Sequence, residues 1–297
     1  MRILVISDVE GVFGVSNGAD FHNSEIIDRE AHEVLTTLKK IPGTTLTFCD
    51  CHNDGERAED ICKHHLGVQP VKCLWGIDFC VPYDYAVLIG FHSKNGTNDV
   101  FSHSFRKEFE SVLIDGAEVG ELKLIINLLN YHSIKTVFIS CNEYALSEIE
   151  DIKCIKCVTG KDDYMAFSDS YYCYLRQKLK GAIANAKDSN SGDYIDAEVK
   201  VNLEDSRIKR FLESIGYVSV GQYIIYQSTF DFFKALHSFC LDINKFHYIE
   251  VVKRYIKKNR LHNASMIPTL AAYFERDVQD LNQNDLVQII DCLKNQL

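Results

Sequence analysis

The chain opens Met1-Arg2-Ile3-Leu4-Val5-Ile6-Ser7-Asp8-Val9-Glu10-Gly11, a short β-rich apolar run that stops on two carboxylates and a glycine. Arg2 to Ser7 reads as a strand, and the Gly-containing loop behind it leads into a helical stretch from Ser24 to about Lys39. The alternation then repeats. Thr44 to Cys49 reads as a second strand closing on Asp50, Cys51 and His52, followed by a helix over Glu56 to Leu66 and a short strand over Val71 to Leu74. Tyr85 to Ile89 is a buried strand ending at Gly90, Phe91 and His92. Gly116 is the turn of a hairpin between Ser111–Ile114 and Ala117–Val119. Glu121 to Tyr131 spaces Leu122, Ile125, Ile126 and Leu129 at helical intervals, Lys135 to Ser140 is another strand, and Asp169 to Ala186 a long helix. Strands alternating with helices imply an α/β protein whose mostly parallel or mixed sheet is covered on both faces.

Further along, the polar stretch Ala186 to Asp193 reads as an exposed loop and Ala197 to Asn202 as a half-buried strand. Gly221 to Gln227 is a strand candidate and Phe230 to Leu241 a helix. From Lys245 the composition shifts, and the tail to Leu297 reads as wholly helical with Pro268 as its one hard break.

Bulk properties narrow the class. The 297 residues are 46% hydrophobic and 25% charged, close to the globular average. With 32 Lys and Arg against 42 Asp and Glu, the formal charge of −10 argues against a broad nucleic-acid surface. No apolar run approaches the ~20 residues of a membrane span. An apolar stretch that meets Asp8 so early is too short for a signal-peptide core, and 11 cysteines without a repeated spacing fit reduced thiols. A cytoplasmic protein is expected.

The chemistry concentrates at strand ends. The first strand runs into Asp8 and Glu10, the second into Asp50-Cys51-His52, the third into Gly90-Phe91-His92. Open α/β sheets bind ligands outside the carboxyl ends of their strands, so these groups could share one crevice. Asp8 and Glu10, two apart, point to the same side, and Gly11 and Gly14 would turn the chain away and leave both carboxylates exposed. Ser102-His103-Ser104 and Gly120-Glu121 follow downstream, the latter opening a helix. Carboxylates with neutral imidazoles suit zinc or a similar divalent ion. Two histidines and three carboxylates exceed one tetrahedral ion but suffice for two if a carboxylate bridges, and Asp8 is best placed for that.

Taken together, these motifs resemble the zinc-dependent D-aminopeptidases of the DppA type. The D-x-E-G element stands at Asp8, Glu10 and Gly11, and the N-D-x-H element at Asp50 and His52 with Cys49 in the Asn position. The G-[YF]-H element is Gly90, Phe91 and His92; S-H-S is Ser102, His103 and Ser104; N-G-x-x-x-G-E stands as Asp115, Gly116, Gly120 and Glu121. The resemblance implies that Asp8, Glu10, His52, His92 and Glu121 bind two zinc ions per chain, Asp8 bridging, and that His103 is catalytic without being a ligand. It also implies an aminopeptidase acting on short peptides or peptide-like substrates with a free amino terminus. The fold implied is a layered α/β/α sandwich with a mixed, mostly parallel sheet, in a homo-oligomeric ring such as a decamer. It extends to about Asn244, giving a domain over 1–244 and a helical extension over 245–297. Departures lie around the site: Lys123, Leu124 and Ile125 replace small residues, and Cys141-Asn142 stands for a Gly-Asp pair.

Other features weigh less. Cys154-Ile155-Lys156-Cys157 is a CxxC with no second pair, and Cys49 and Cys51 should point away from Asp50. His64-His65 reads as surface at a helix end, and His32 as structural. Lys253, Arg254, Lys257, Lys258 and Arg260 give the early tail a basic face, and Leu286, Val287, Ile289, Ile290 and Leu293 give its end an apolar stripe. Two rival readings are a metal-dependent phosphoesterase and a metal-binding assembly protein altered in catalysis. The first lacks the His that calcineurin-like enzymes need at the position of Glu10.

Overall fold

A computed structural model describes residues 1–159 and 168–258, with side chains to 250. The elements are β1 (Arg2–Ser7), α1 (Ser24–Ile27), α2 (Arg29–Lys39), β2 (Thr45–Asp50), α3 (Ala58–Lys63), β3 (Val68–Lys72) and β4 (Tyr85–Phe91). Next come β5 (Phe109–Ile114), β6 (Ala117–Val119), α4 (Glu121–Tyr131), β7 (Lys135–Asn142), α5 (Glu143–Leu146), β8 (Ile155–Thr159) and α6 (Ser168–Ala184). The remainder is β9 (Val199–Leu203), α7 (Ser206–Ser214), β10 (Ser219–Val220), β11 (Tyr223–Tyr226) and α8 (Thr229–Lys258).

Two compact units are distinguishable: Met1–Glu204 with Ile225–Phe232, and Asp205–Ile224 with the chain from Phe233. In the first, a wholly parallel sheet runs β3-β2-β1-β4-β7-β8. Alternation along the strands feeds two cores. Ile3, Val5, Phe48, Val87 and Ile89 pack with Val34 and Leu35 of α2, Ile61 of α3 and Tyr171 and Leu175 of α6. Leu4, Ile6, Cys49, Leu88 and Ile139 pack on the opposite face with Leu122, Ile125 and Leu129 of α4 and Ala145 of α5. This is the α/β/α sandwich, its helical layers fixed by which strand residues face them. β5, β6 and β9 form an antiparallel arrangement beside it, with β5 paired to both others. Pro70, unable to donate to a ladder, sits in the edge strand β3.

In the second unit α7 buries Ile208 and Leu212, and Phe211 meets Phe246 at 5.8 Å between ring centroids. Tyr217 packs on Phe239 at 5.3 Å and its hydroxyl donates to Asp242 at 2.8 Å. Ser219–Val220 and Tyr223–Ile224 form a short antiparallel hairpin. Helix α8 runs unbroken through residues 244 and 245. The side chains of the basic face at 253–260, the apolar stripe at 286–293 and the break at Pro268 lie outside the described residues.

Three expectations differ from the structure. The CxxC segment contributes β8, the last strand of the parallel sheet, which its Lys and Cys content concealed. The 186–193 stretch is not simply exposed: Ala186 and Ser191 are buried, and Asn190 bridges to Lys153. His65 is buried as well, its Nε2 2.9 Å from Nδ1 of His32, because α2 covers the end of α3. Among the described residues no helix is long and apolar enough to cross a membrane.

Candidate metal centre

Strand order explains why the motifs converge. From β1 the chain steps outward to β2 and β3, then returns across β1 to β4, so the order reverses between β1 and β4. Such a reversal leaves a crevice at the strands' carboxyl ends. Asp8 and Glu10 follow β1, His52 follows β2 and His92 follows β4. The ends of β1 and β4 interlock: the Asp8 amide donates to the Ile89 carbonyl at 2.9 Å, and that of Gly11 to Gly90 at 2.8 Å. Gly90 has φ +74°, and a Cβ on it would lie 2.3 Å from the Asp8 carbonyl oxygen; one on Gly11 would lie 1.9 Å from that of Phe91. Only glycine permits this approach. The crossing also buries Asp8 and Glu10, which the sequence suggested would stand exposed.

Two groups of ligand-type side chains result, Asp8–Glu10–His52 and His92–His103–Glu121, with the ligand atoms in each within 4.8 Å of one another. His52 Nδ1 lies 3.0 Å from Glu10 Oε1 and 3.7 Å from Asp8 Oδ1. His92 Nε2 lies 3.4 Å from Asp8 Oδ2 and 3.1 Å from Glu121 Oε1. Asp8 alone faces both histidines, one oxygen toward each. The second nitrogens are committed elsewhere. His92 Nδ1 donates to the Ser93 carbonyl and His103 Nδ1 to that of Phe101, both at 2.8 Å. Each Nε2 is thereby aimed inward in the tautomer that carries a lone pair. The His92 and His103 rings stack at 4.2 Å.

The electrostatics ask for positive charge here. Burial resists ionisation of His52, but Asp8 and Glu10 outweigh it and raise its pKa to about 10. Burial likewise opposes charge on His92, and Glu121, Asp8 and Glu10 push its pKa well above the ordinary value. Glu121, despite burial, is drawn down to about 2 by the neighbouring His92. Asp8 Oδ2 and His92 Nε2 are buried with no hydrogen-bond partner. A buried acceptor without a donor is costly, and a divalent cation between these atoms would satisfy both. The donor set therefore fits zinc.

Supporting groups that sequence reasoning missed fix the loops. The half-buried Glu148 carboxylate accepts from the Lys94 amide and from the Gly120 amide, each at 2.8 Å. It ties the backbone just after His92 to the backbone just before Glu121. Gly120 must lack a side chain, since a Cβ would meet Glu148 Oε2 at 2.3 Å. Asp99 accepts from the Ser93 hydroxyl at 2.8 Å, Asn142 Nδ2 at 2.6 Å and the Phe101 amide at 3.3 Å. These bonds overcome burial and keep its carboxyl below the usual range. Asn142 also caps α5. Asp50, although in a motif, is not in either group: it accepts from Arg57 Nη2 at 2.5 Å and from the Arg57 amide at 3.0 Å. Cys49 and Cys51 lie with their sulfurs 3.8 Å apart, and neither belongs to the two ligand groups. The surrounding helices and turns offered no spacing from which Glu148 or Asp99 could be singled out.

Comparison with known proteins agrees with the motifs. Residues 67–204 match the family described as D-aminopeptidase. Among solved structures, the chain is similar to the Zn-dependent D-aminopeptidase DppA from Bacillus subtilis, described as a self-compartmentalizing protease. The TM-score is 0.67 and the identity 15%, over 82% of this chain and 98% of that one. No curated protein matches the sequence. Over residues 67–204 the sequence thus matches the model of the D-aminopeptidase family, and over most of its length the chain shares the fold of a Zn-dependent D-aminopeptidase.

Proposed function

We propose that this chain is a dinuclear zinc aminopeptidase that cleaves the amide bond beside a free α-amino group in short peptides or peptide-like substrates. The observation that carries it is Asp8, a buried carboxylate with one oxygen facing His52 and the other facing His92. Glu10 and His52 would complete one half and His92 and Glu121 the other, leaving Asp8 to bridge. When bound, the two ions supply Lewis acidity toward a carbonyl and lower the pKa of a water molecule. The carboxylates fix the charge of the site and the paired histidines point their lone pairs into it.

His103 is the proton-handling residue in this reading. Its Nδ1 is held by the Phe101 carbonyl, so its Nε2 is the free end, beside the His92 ring. Hydrolysis breaks the C–N bond, leaves the hydroxyl of water on the carbonyl carbon and releases the amine with one added proton. His103 Nε2 would carry that proton to the leaving amine or hold the oxyanion. A D-residue at the amino end, and assembly of copies around an enclosed space, are carried over from the solved relative. We treat 1–244 as the catalytic domain and 245–297 as an extension that serves assembly. The described cysteines are all free, which suits a cytoplasmic setting.

Turnover of D- and L-aminoacyl amides by zinc-loaded protein tests the proposal. Hydrolysis that disappears on chelation and returns with zinc is expected. Zinc-loaded protein that binds two ions yet cleaves none of the amides would instead favour the assembly reading.

A further inference from the structure

An aromatic pair, Phe21 and Phe101, adjoins the metal centre at His52. Phe21 lies 5.5 Å from the His52 ring and 5.0 Å from Phe101, centroid to centroid, and both phenylalanines are half-buried. Neither ring is loosely placed. Phe21 sits in the 3-10 turn Asp20–His22, where the Asp20 carboxylate accepts from the amides of Ser16 at 2.7 Å and Asn17 at 3.0 Å. Phe101 is fixed through its amide by Asp99 at 3.3 Å, and its carbonyl takes the Nδ1 proton of His103 at 2.8 Å. Val100, 78% exposed, continues the apolar character of that loop.

Resting on the aminopeptidase reading, we infer that Phe21 and Phe101 form the subsite for the substrate's amino-terminal side chain, and that this side chain is apolar and ring-sized. The asymmetry of the site gives the direction. The Phe21 ring lies against that of His52 and the Phe101 ring against Phe21, whereas the ring of His103, the group suited to the leaving amine, stacks on that of His92. A peptide with its amino end toward His52 and its leaving group toward His103 sets its first side chain against the two rings. A methyl group would leave both faces wet. A phenyl or branched aliphatic group covers them and gains the tilted ring contacts that aromatic pairs favour. Charged side chains would lose hydration there without a partner.

The test measures kcat/KM for amides of Ala, Leu, Phe, Glu and Lys, both enantiomers, on zinc-loaded protein. For the accepted enantiomer, Phe and Leu should exceed Ala by about tenfold or more, the scale on which apolar pockets discriminate. Phe21→Ala and Phe101→Ala should bring that ratio down toward one while zinc per chain stays at the wild-type value. Phe21→Leu, which keeps bulk at the turn, should give an intermediate ratio. Best turnover of Ala, Glu or Lys amides, or a ratio untouched by the variants, overturns the subsite and leaves the aminopeptidase standing. A smaller assembly in Phe21→Ala overturns it too, making the pair an interface between copies. No hydrolysis of any amide removes the aminopeptidase reading and this inference with it.

Discussion

Asp8 gives each of its oxygens to a different histidine, and so its loss should be felt by both halves of the site. Asp8→Ala is expected to lower zinc per chain more than Glu10→Ala or Glu121→Ala, measured by elemental analysis after gel filtration. His103→Ala should keep its zinc and lose about 10²-fold or more in turnover, the scale of a missing proton-transfer or oxyanion group. Loss of zinc in that variant would make His103 a ligand. A different carboxyl matters for stability. Burial raises Glu30 from 4.5 to about 7, outweighing the opposing hydrogen bonds from the Ser140 hydroxyl, the Phe13 amide at 3.5 Å and the Tyr171 hydroxyl at 3.2 Å. The folded chain then holds a proton that the unfolded chain has released. Glu30 therefore contributes fully below pH 4.5, and that contribution is lost as pH rises to about 7. Glu30→Gln should shrink the difference in unfolding free energy between pH 4.5 and 8 by about 3 kcal/mol. An unchanged difference would show that Glu30 ionises without cost. At this scale the sequence was most informative about the ligand-type residues, because each follows a strand or opens a helix. It misjudged their exposure, because burial of Asp8 and Glu10 depends on the crossing of β1 and β4.

Between elements, the centre depends on joints that no local pattern announces. Glu148 holds the loop after β4 to the start of α4 by accepting one amide from each. Glu148→Gln replaces one acceptor with a donor facing an N–H, and Gly120→Ala drives a methyl into the carboxylate. Either should weaken zinc binding by about 10- to 100-fold, the usual effect of losing support behind a ligand, with the His92–Glu121 half emptied first. Competition with a chromophoric chelator would read this as one tight and one weakened site; two unaltered sites would make the clamp dispensable. Strands and helices with strong apolar patterning, such as β1 and α4, were legible to the residue. β8 was not, since two of its five residues are Lys156 and Cys157 and its strand character comes from pairing with β7.

For the molecule as a whole, the order β3-β2-β1-β4-β7-β8 is what turns separate motifs into one site. The sequence indicated a mostly parallel sheet, but strand order rests on long-range pairing that spacing does not encode. The 245–297 extension poses a question of assembly. Truncation after Asn244 removes the buried Phe246 and Ile249 and should reduce the size or stability of the assembly while zinc per chain is kept, as light scattering and elemental analysis would report. An unaltered assembly would take the extension out of that role. The proposed chemistry turns on the bridged pair of ions. Anomalous diffraction from crystals of zinc-loaded protein at the zinc edge tests it most directly. Two peaks ~3.5–4 Å apart with Asp8 between them are expected. A single peak, or peaks that do not share Asp8, would contradict it.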